Sequence, residues 1–172
     1  MVILAFEISP AILSVKRKPQ FSSISTTFVE VFALSFQSSS IFTVKGQLSW
    51  GHCLKIFDAY GNKIGTVQER VFSFLPRFEI YIVNEKIGCI TKEFSFLKPK
   101  FQIDYNGWQV EGDFFGWDYR VYDRNRRCVA EVSKQLFNWT DTYMIDIPNP
   151  ENALEALMLV LAIDAEKCSN NN

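Results

Sequence analysis

Nucleophilic catalysis needs a base within hydrogen-bond reach of a Ser or Cys, and this sequence offers one histidine, His52, next to Cys53. Neighbouring side chains of an extended chain point to opposite faces, so the two make a poor dyad, and His52 is expected in or near a strand-end turn. Cys89, Cys128 and Cys168 are scattered, with no CxxC spacing. A zinc site asks for about four convergent N or S ligands. None is expected here, and the thiols read as reduced, inert, buried groups of a cytosolic chain. Asp58 and Asp123 could form a carboxylate pair for acid–base work. Each, however, opens a turn, where an Asp side chain accepts from backbone N–H groups two residues on. The run from Gly112 to Gly116 lacks the lysine and the strand-to-helix setting of a phosphate loop. No catalytic residue, metal or cofactor is expected.

The chemistry that remains is ionic. From Arg70 to Lys100 the chain carries Arg70, Arg77, Lys86, Lys92, Lys98 and Lys100 against Glu69, Glu79, Glu85 and Glu93. Arg120, Arg124, Arg126 and Arg127 form a second group. The segment Phe94-Ser-Phe-Leu-Lys98-Pro-Lys100 sets aromatics beside cations, as a membrane-surface loop does, and near an anionic bilayer each basic residue contributes about 1 kcal/mol. Arg77, Lys92, Lys98, Lys100, Arg124, Arg126 and Arg127 are therefore the candidate ligand-binding residues. The competing reading is a plain solvated face. A net charge of −1 supplies no general field for polyanions, so nucleic acid is not an expected partner.

Something must position these groups, and 172 residues suffice for one domain with a sizeable core. Aromatic residues reach 15%, led by 16 Phe, a bias that suits strands. From Ile41 onward short alternating runs are separated by turns: Leu54–Asp58, Ile64–Val71, Arg77–Val83, Ile87–Lys92, Lys100–Tyr105, Trp108–Glu111, Tyr119–Tyr122, Cys128–Lys134 and Thr142–Ile147. Asn106-Gly107 is the strongest hairpin signal among them. The turns fall too close together for intervening helices, which predicts an antiparallel meander.

The meander repeats. Leu54–Ile82 aligns without a gap on Tyr119–Ile147, offset by 65 positions. Ile56 falls on Val121, Asp58 on Asp123, Val67 on Val132, Phe72 on Phe137, Phe74 on Trp139 and Ile80 on Ile145. Matched alternation predicts that both copies turn the same face to a core. The period then changes. Asn149-Pro150-Glu151 is a helix start by capping residue, proline and acid. Ala156–Ile163 is apolar without a break. A helix over about residues 150–167 with no polar stripe is expected to be buried on all sides, and it is too short to span a bilayer. Asp164, directly after that run, needs a hydrogen-bonded partner if buried and reads as an anchor at the helix end.

This pattern, with Leu159-Val160-Leu161-Ala162-Ile163-Asp164-Ala165 and Arg70-Val71-Phe72-Ser73-Phe74-Leu75-Pro76-Arg77-Phe78-Glu79-Ile80, resembles the LURP-one-related family. That family shares its fold with tubby C-terminal domains and phospholipid scramblases. The resemblance implies a mainly β domain: a closed antiparallel β-barrel of about twelve strands, made of two repeated meanders, around a central hydrophobic C-terminal helix. It also implies a non-enzymatic binding or scaffold module, with phosphoinositide or anionic phospholipid headgroups as the ligand class. The alternative is a protein-interaction or regulatory domain with no lipid ligand. Lipid scrambling ranks below both.

The resemblance covers residues 41–168, and residues 1–40 are set apart as an atypical segment. There the expected polar turn gives way to Gln37-Ser38-Ser39-Ser40. An altered N-terminus competes with a divergent strand pair, since Phe28–Phe36 has strong β propensity. The opening Met-Val-Ile-Leu-Ala-Phe is followed, not preceded, by Lys16, Arg17 and Lys18, the reverse of an export signal. A monomer in the cytoplasm, peripheral to the membrane, completes the expectation.

Overall fold

Alternation dictates the strands and the aromatic bias keeps them regular. The computed structural model describes residues 11–17, 28–33, 40–49, 51–95, 100–114, 116–134 and 142–169. They form β1 (Ala11–Arg17), β2 (Phe28–Ala33), β3 (Ser40–Ser49), β4 (Gly51–Asp58), β5 (Lys63–Glu69), β6 (Arg77–Ile82), β7 (Glu85–Glu93), β8 (Lys100–Ile103), β9 (Gln109–Asp113), β10 (Asp118–Tyr122), β11 (Cys128–Lys134) and β12 (Thr142–Ile147). A 3-10 turn (Pro150–Asn152) leads into α1 (Ala153–Ser169). Asn149 caps this start, its side-chain oxygen accepting from the Glu151 N–H at 3.1 Å.

All pairings are antiparallel, in the order β8-β7-β6-β5-β4-β3-β2-β1-β12-β11-β10-β9. Six strands, β3 to β8, run as one meander. Four, β9 to β12, run as another, and β1 and β2 join them by pairing with β12 and β3. The sheet curves around α1, whose residues Ala156–Glu166 are all buried. Ile56, Val67, Phe78, Ile80, Val121, Val132 and Ile145 line the inner face at 1% exposure or less. A helix apolar on every side therefore loses its solvent on every side.

The two copies are equivalent in detail. Asp58 Oδ1 accepts from the N–H groups of Tyr60 and Asn62 at 2.9 and 2.8 Å. Asp123 Oδ1 accepts from those of Asn125 and Arg127 at 2.8 and 2.9 Å. A register shift follows Ile56 in one copy and Val121 in the other. Both carboxylates thus hold turns, and neither faces the other as an acid–base pair. Gly61 has φ +83° and Arg126, its equivalent, φ +64°.

Expectations about closure, about the Asn106-Gly107 hairpin and about two phenylalanines need correction. The sheet does not close into a barrel: β8 bonds to β7 and β9 to β10, with no ladder between β8 and β9. For the same reason Asn106-Gly107 is not a hairpin turn. Asp104 is bound back to β7, its N–H donating to the Cys89 carbonyl at 3.2 Å and its carboxylate accepting from the Cys89 N–H at 2.6 Å. Tyr105 lies over Gly88, where any Cβ would come within 2.6 Å of its side chain. Asn106 Nδ2 donates to Glu155 of α1 at 2.8 Å. These bonds pull the corner inward onto the helix, so the chain leaves β8 sideways and takes its next partner from β10. Aromatic side chains fill the seam instead, with Phe101 and Phe114 ring centroids 5.3 Å apart and Phe114 and Tyr119 also 5.3 Å apart.

The last correction concerns Phe72 and Phe74. Alternation across the repeat places them on a core face, yet β5 stops at Glu69, and they stand 95% and 99% exposed. Their partners in the second copy, Phe137 and Trp139, lie outside the described residues.

Candidate functional site

Strand ends gather at the two ends of α1, and the candidate cations divide between them. Asn106 on Glu155 marks the N-terminal end of the helix, and Lys92 on Glu166 marks the C-terminal end. Glu166 lies eleven positions after Glu155 in the helix, roughly 16 Å along the axis. Arg124 packs its side chain against Gly107, so Arg124, Arg126 and Arg127 belong to the first end. Arg77 stands opposite Thr91 in register and Lys100 opposite Glu93, so Arg77, Lys92 and Lys100 belong to the second. Lys98 lies outside the described residues.

Most members of the first group are already engaged. Arg126 is ion-paired with Glu111 at 2.5 Å and stacks 4.8 Å from the Tyr122 ring centroid. The Arg126 guanidinium holds the Glu111 carboxyl below the usual carboxylate range. Arg127 is exposed and gives its backbone N–H to Asp123.

The second group differs member by member. Lys92 is a tether: its ammonium meets Glu166, a carboxylate with 4% of its side chain exposed. Lys100 is exposed at the start of β8. Arg77 is exposed at the start of β6, and its Nη2 donates to the Cys89 sulfur at 3.1 Å. That bond holds the Arg77 guanidinium more firmly protonated than usual. Among the described residues no carboxylate lies within ion-pairing distance of Arg77, and Asp104 and Glu79 act on its exposed side chain only from further away.

Beside Arg77 the structure adds residues that the candidate set does not contain. Glu79, a buried carboxylate on β6, accepts from Lys86 Nζ at 2.7 Å, Arg70 Nε at 3.1 Å and Tyr81 Oη at 2.8 Å. The Lys86 ammonium, against the opposing effect of burial, keeps the Glu79 carboxyl below its usual range, with Tyr81 and Arg70 assisting. Arg70, Arg77 and Lys86 thereby line one cavity of about 610 Å³ together with Gln68, Phe72, Ser73 and Glu79. Its rim is the β5–β6 loop. Arg70 N–H donates to the Arg77 carbonyl at 2.8 Å and closes the loop base. Ser73 Oγ lies 2.8 Å from the Arg70 carbonyl and 2.6 Å from that of Leu75. Lys92 N–H donates to the Pro76 carbonyl at 2.9 Å. The loop is internally bonded, and it holds both phenyl rings outward. Phe94, just past β7, is 72% exposed. The signal for this loop was Pro76, which cannot sit within a central strand, between two phenylalanines and Arg77.

Elsewhere the polar groups are structural. The His52 ring lies 3.0 Å from Ser169 Oγ, whose hydroxyl donates to the Ala165 carbonyl at 3.1 Å at the end of α1. Cys53 and Cys89 are buried free thiols, and Cys128 is an exposed one. Asp164 is buried in the last turns of α1, and after burial itself its charge is what pushes the enclosed Tyr119 phenol up. No three His, Cys, Asp or Glu side chains could share a metal ion among the described residues. No helix there is long and apolar enough to cross a membrane.

Comparisons agree with this architecture. The family model of LURP-one-related proteins matches residues 11–164, a span that includes β1 and β2. The protein YxjI of Bacillus subtilis (strain 168) is 30% identical over 124 residues, which is 72% of this chain and 76% of that protein. An X-ray structure of a protein from Arabidopsis thaliana has a TM-score of 0.61 and 16% identity, covering 92% of each chain. At that identity the likeness is one of fold.

Proposed function

The chain belongs to the LURP-one-related family, and on that footing we propose that it is a non-enzymatic module that binds anionic phospholipid or phosphoinositide headgroups. The docking end is the one at the C-terminus of α1, where Arg77 and Lys100 are exposed; Lys98 stands two positions before Lys100 in the sequence. The observation that carries the reading is Arg77, a guanidinium at a strand start that is held by the Cys89 sulfur and lines a cavity of about 610 Å³. Guanidinium pairs well with phosphate oxygens. Arg124 and Arg126, by contrast, are held by packing and by Glu111, so that end has less charge to offer.

Sedimentation with phosphatidylcholine vesicles, with and without phosphatidylserine or phosphoinositide, tests this. Binding should require the anionic lipid and weaken as salt rises. Arg77→Glu combined with Lys98→Glu and Lys100→Glu should lower affinity about 10-fold or more, while Arg124→Glu with Arg127→Glu should leave it within about 3-fold. No binding to any anionic vesicle by folded wild-type protein overturns the reading. A protein-interaction role is the second reading, favoured by the edges of β8 and β9, which no ladder joins to each other and which strand addition could use. It would show as specific, salt-tolerant co-purification instead.

A further inference from the structure

Phe72 and Phe74 are 95% and 99% exposed on a loop tied by its own hydrogen bonds. Leaving two phenyl rings in water forgoes the stabilisation that burial gives a large apolar side chain. The loop also spends a serine hydroxyl and a base-closing backbone bond on keeping them there. We propose that the β5–β6 loop is a membrane wedge: Phe72 and Phe74 enter the boundary between headgroups and acyl chains, while Arg77, in the cavity it shares with the Glu79-paired Arg70 and Lys86, receives a lipid phosphate. This rests on the anionic-lipid reading above and adds its apolar anchor.

Three observations choose a bilayer over another protein. The rings sit at the tip of a protruding turn, not on a broad flat face, and a stable protein interface needs a contiguous buried patch. Cations flank the tip on both sides in sequence, Arg70 before and Arg77 after, and both line the cavity beside it. Phe94 and Lys100 lie at the same end of the molecule, so the plane of contact continues beyond the loop. The cavity carries three basic groups against Glu69 and Glu79. Glu79 is already shared by Arg70 and Lys86, which leaves the excess charge on Arg77. A phosphate arriving there would complete that site, and Arg70, 63% exposed in its side chain, can turn toward it.

The test compares wild type with Phe72→Ser/Phe74→Ser on vesicles of phosphatidylcholine alone and with phosphatidylserine, at low salt and at about 0.5 M salt, where charges are screened within about 5 Å. Both positions are solvated, so the double variant should keep the wild-type melting curve. A wedge leaves wild type with a salt-resistant bound fraction, and the double variant should lose affinity about 30-fold, which corresponds to about 1 kcal/mol for each ring. Phe74→Trp should shift its emission to the blue on vesicles and be quenched by brominated acyl chains. Anionic-lipid binding that is equal in wild type and double variant, with no quenching, overturns the wedge and spares the headgroup reading. Ring-dependent binding that ignores phosphatidylserine keeps the wedge and removes the headgroup reading. Self-association of wild type that the double variant abolishes, with no vesicle binding, assigns the loop to a second copy of this chain and overturns both.

Discussion

At the level of single residues, the equivalence of Gly61 and Arg126 shows how much of the duplication is physical. Both sit at φ beyond +60° at the same step of equivalent turns. Glycine enters that region freely, whereas a side chain costs about 1 kcal/mol there. Arg126 meets this cost with the ion pair to Glu111 and the contact with Tyr122. Arg126→Gly and Arg126→Ala both remove those contacts, and only glycine relaxes the backbone. The glycine variant should therefore be the more stable by about 1 kcal/mol in urea denaturation, the reverse of the usual order, and equal midpoints would refute the strain. The turn carboxylates Asp58 and Asp123 were legible from the sequence because a residue's role in a turn is local. Arg70 and Lys86 were not, because what joins them is Glu79, a buried carboxylate that accepts from both, and a shared partner is a property of two strands and the loop before them.

Among elements, nine strand segments and the helix were legible, since period two and an unbroken apolar run report directly on burial. Closure was not. Asn-Gly flanked by alternating residues favours a hairpin by its own torsions, but bonds from Cys89 and Glu155 compete for the same corner, and the corner is theirs. The repeat also overreached at Phe72 and Phe74, because matched letters continue past the last ladder bond of β5 while the chain does not. If aromatic side chains hold the β8–β9 seam in place of a ladder, Phe114→Ala should cost about 3 kcal/mol in urea denaturation. It should also speed amide exchange in β8 and β9 more than in β2 and β3, which bond to each other. Uniform acceleration across the sheet would mean that the seam is not a separate point of weakness.

For the molecule as a whole, a buried helix with strand ends at both of its termini creates two chemically distinct poles. At one, arginines are spent on Glu111 and on packing. At the other, Arg77 and two exposed phenylalanines face outward beside a cavity, and the proposed function depends on that asymmetry. Amide hydrogen exchange of the protein bound to phosphatidylserine vesicles tests it most directly. Protection on binding should fall on Arg70–Arg77 and on Thr91–Ser95, with Asp123–Arg127 exchanging as in the free protein. Protection at Asp123–Arg127 instead, or none at either pole while the protein is bound, would contradict the assignment.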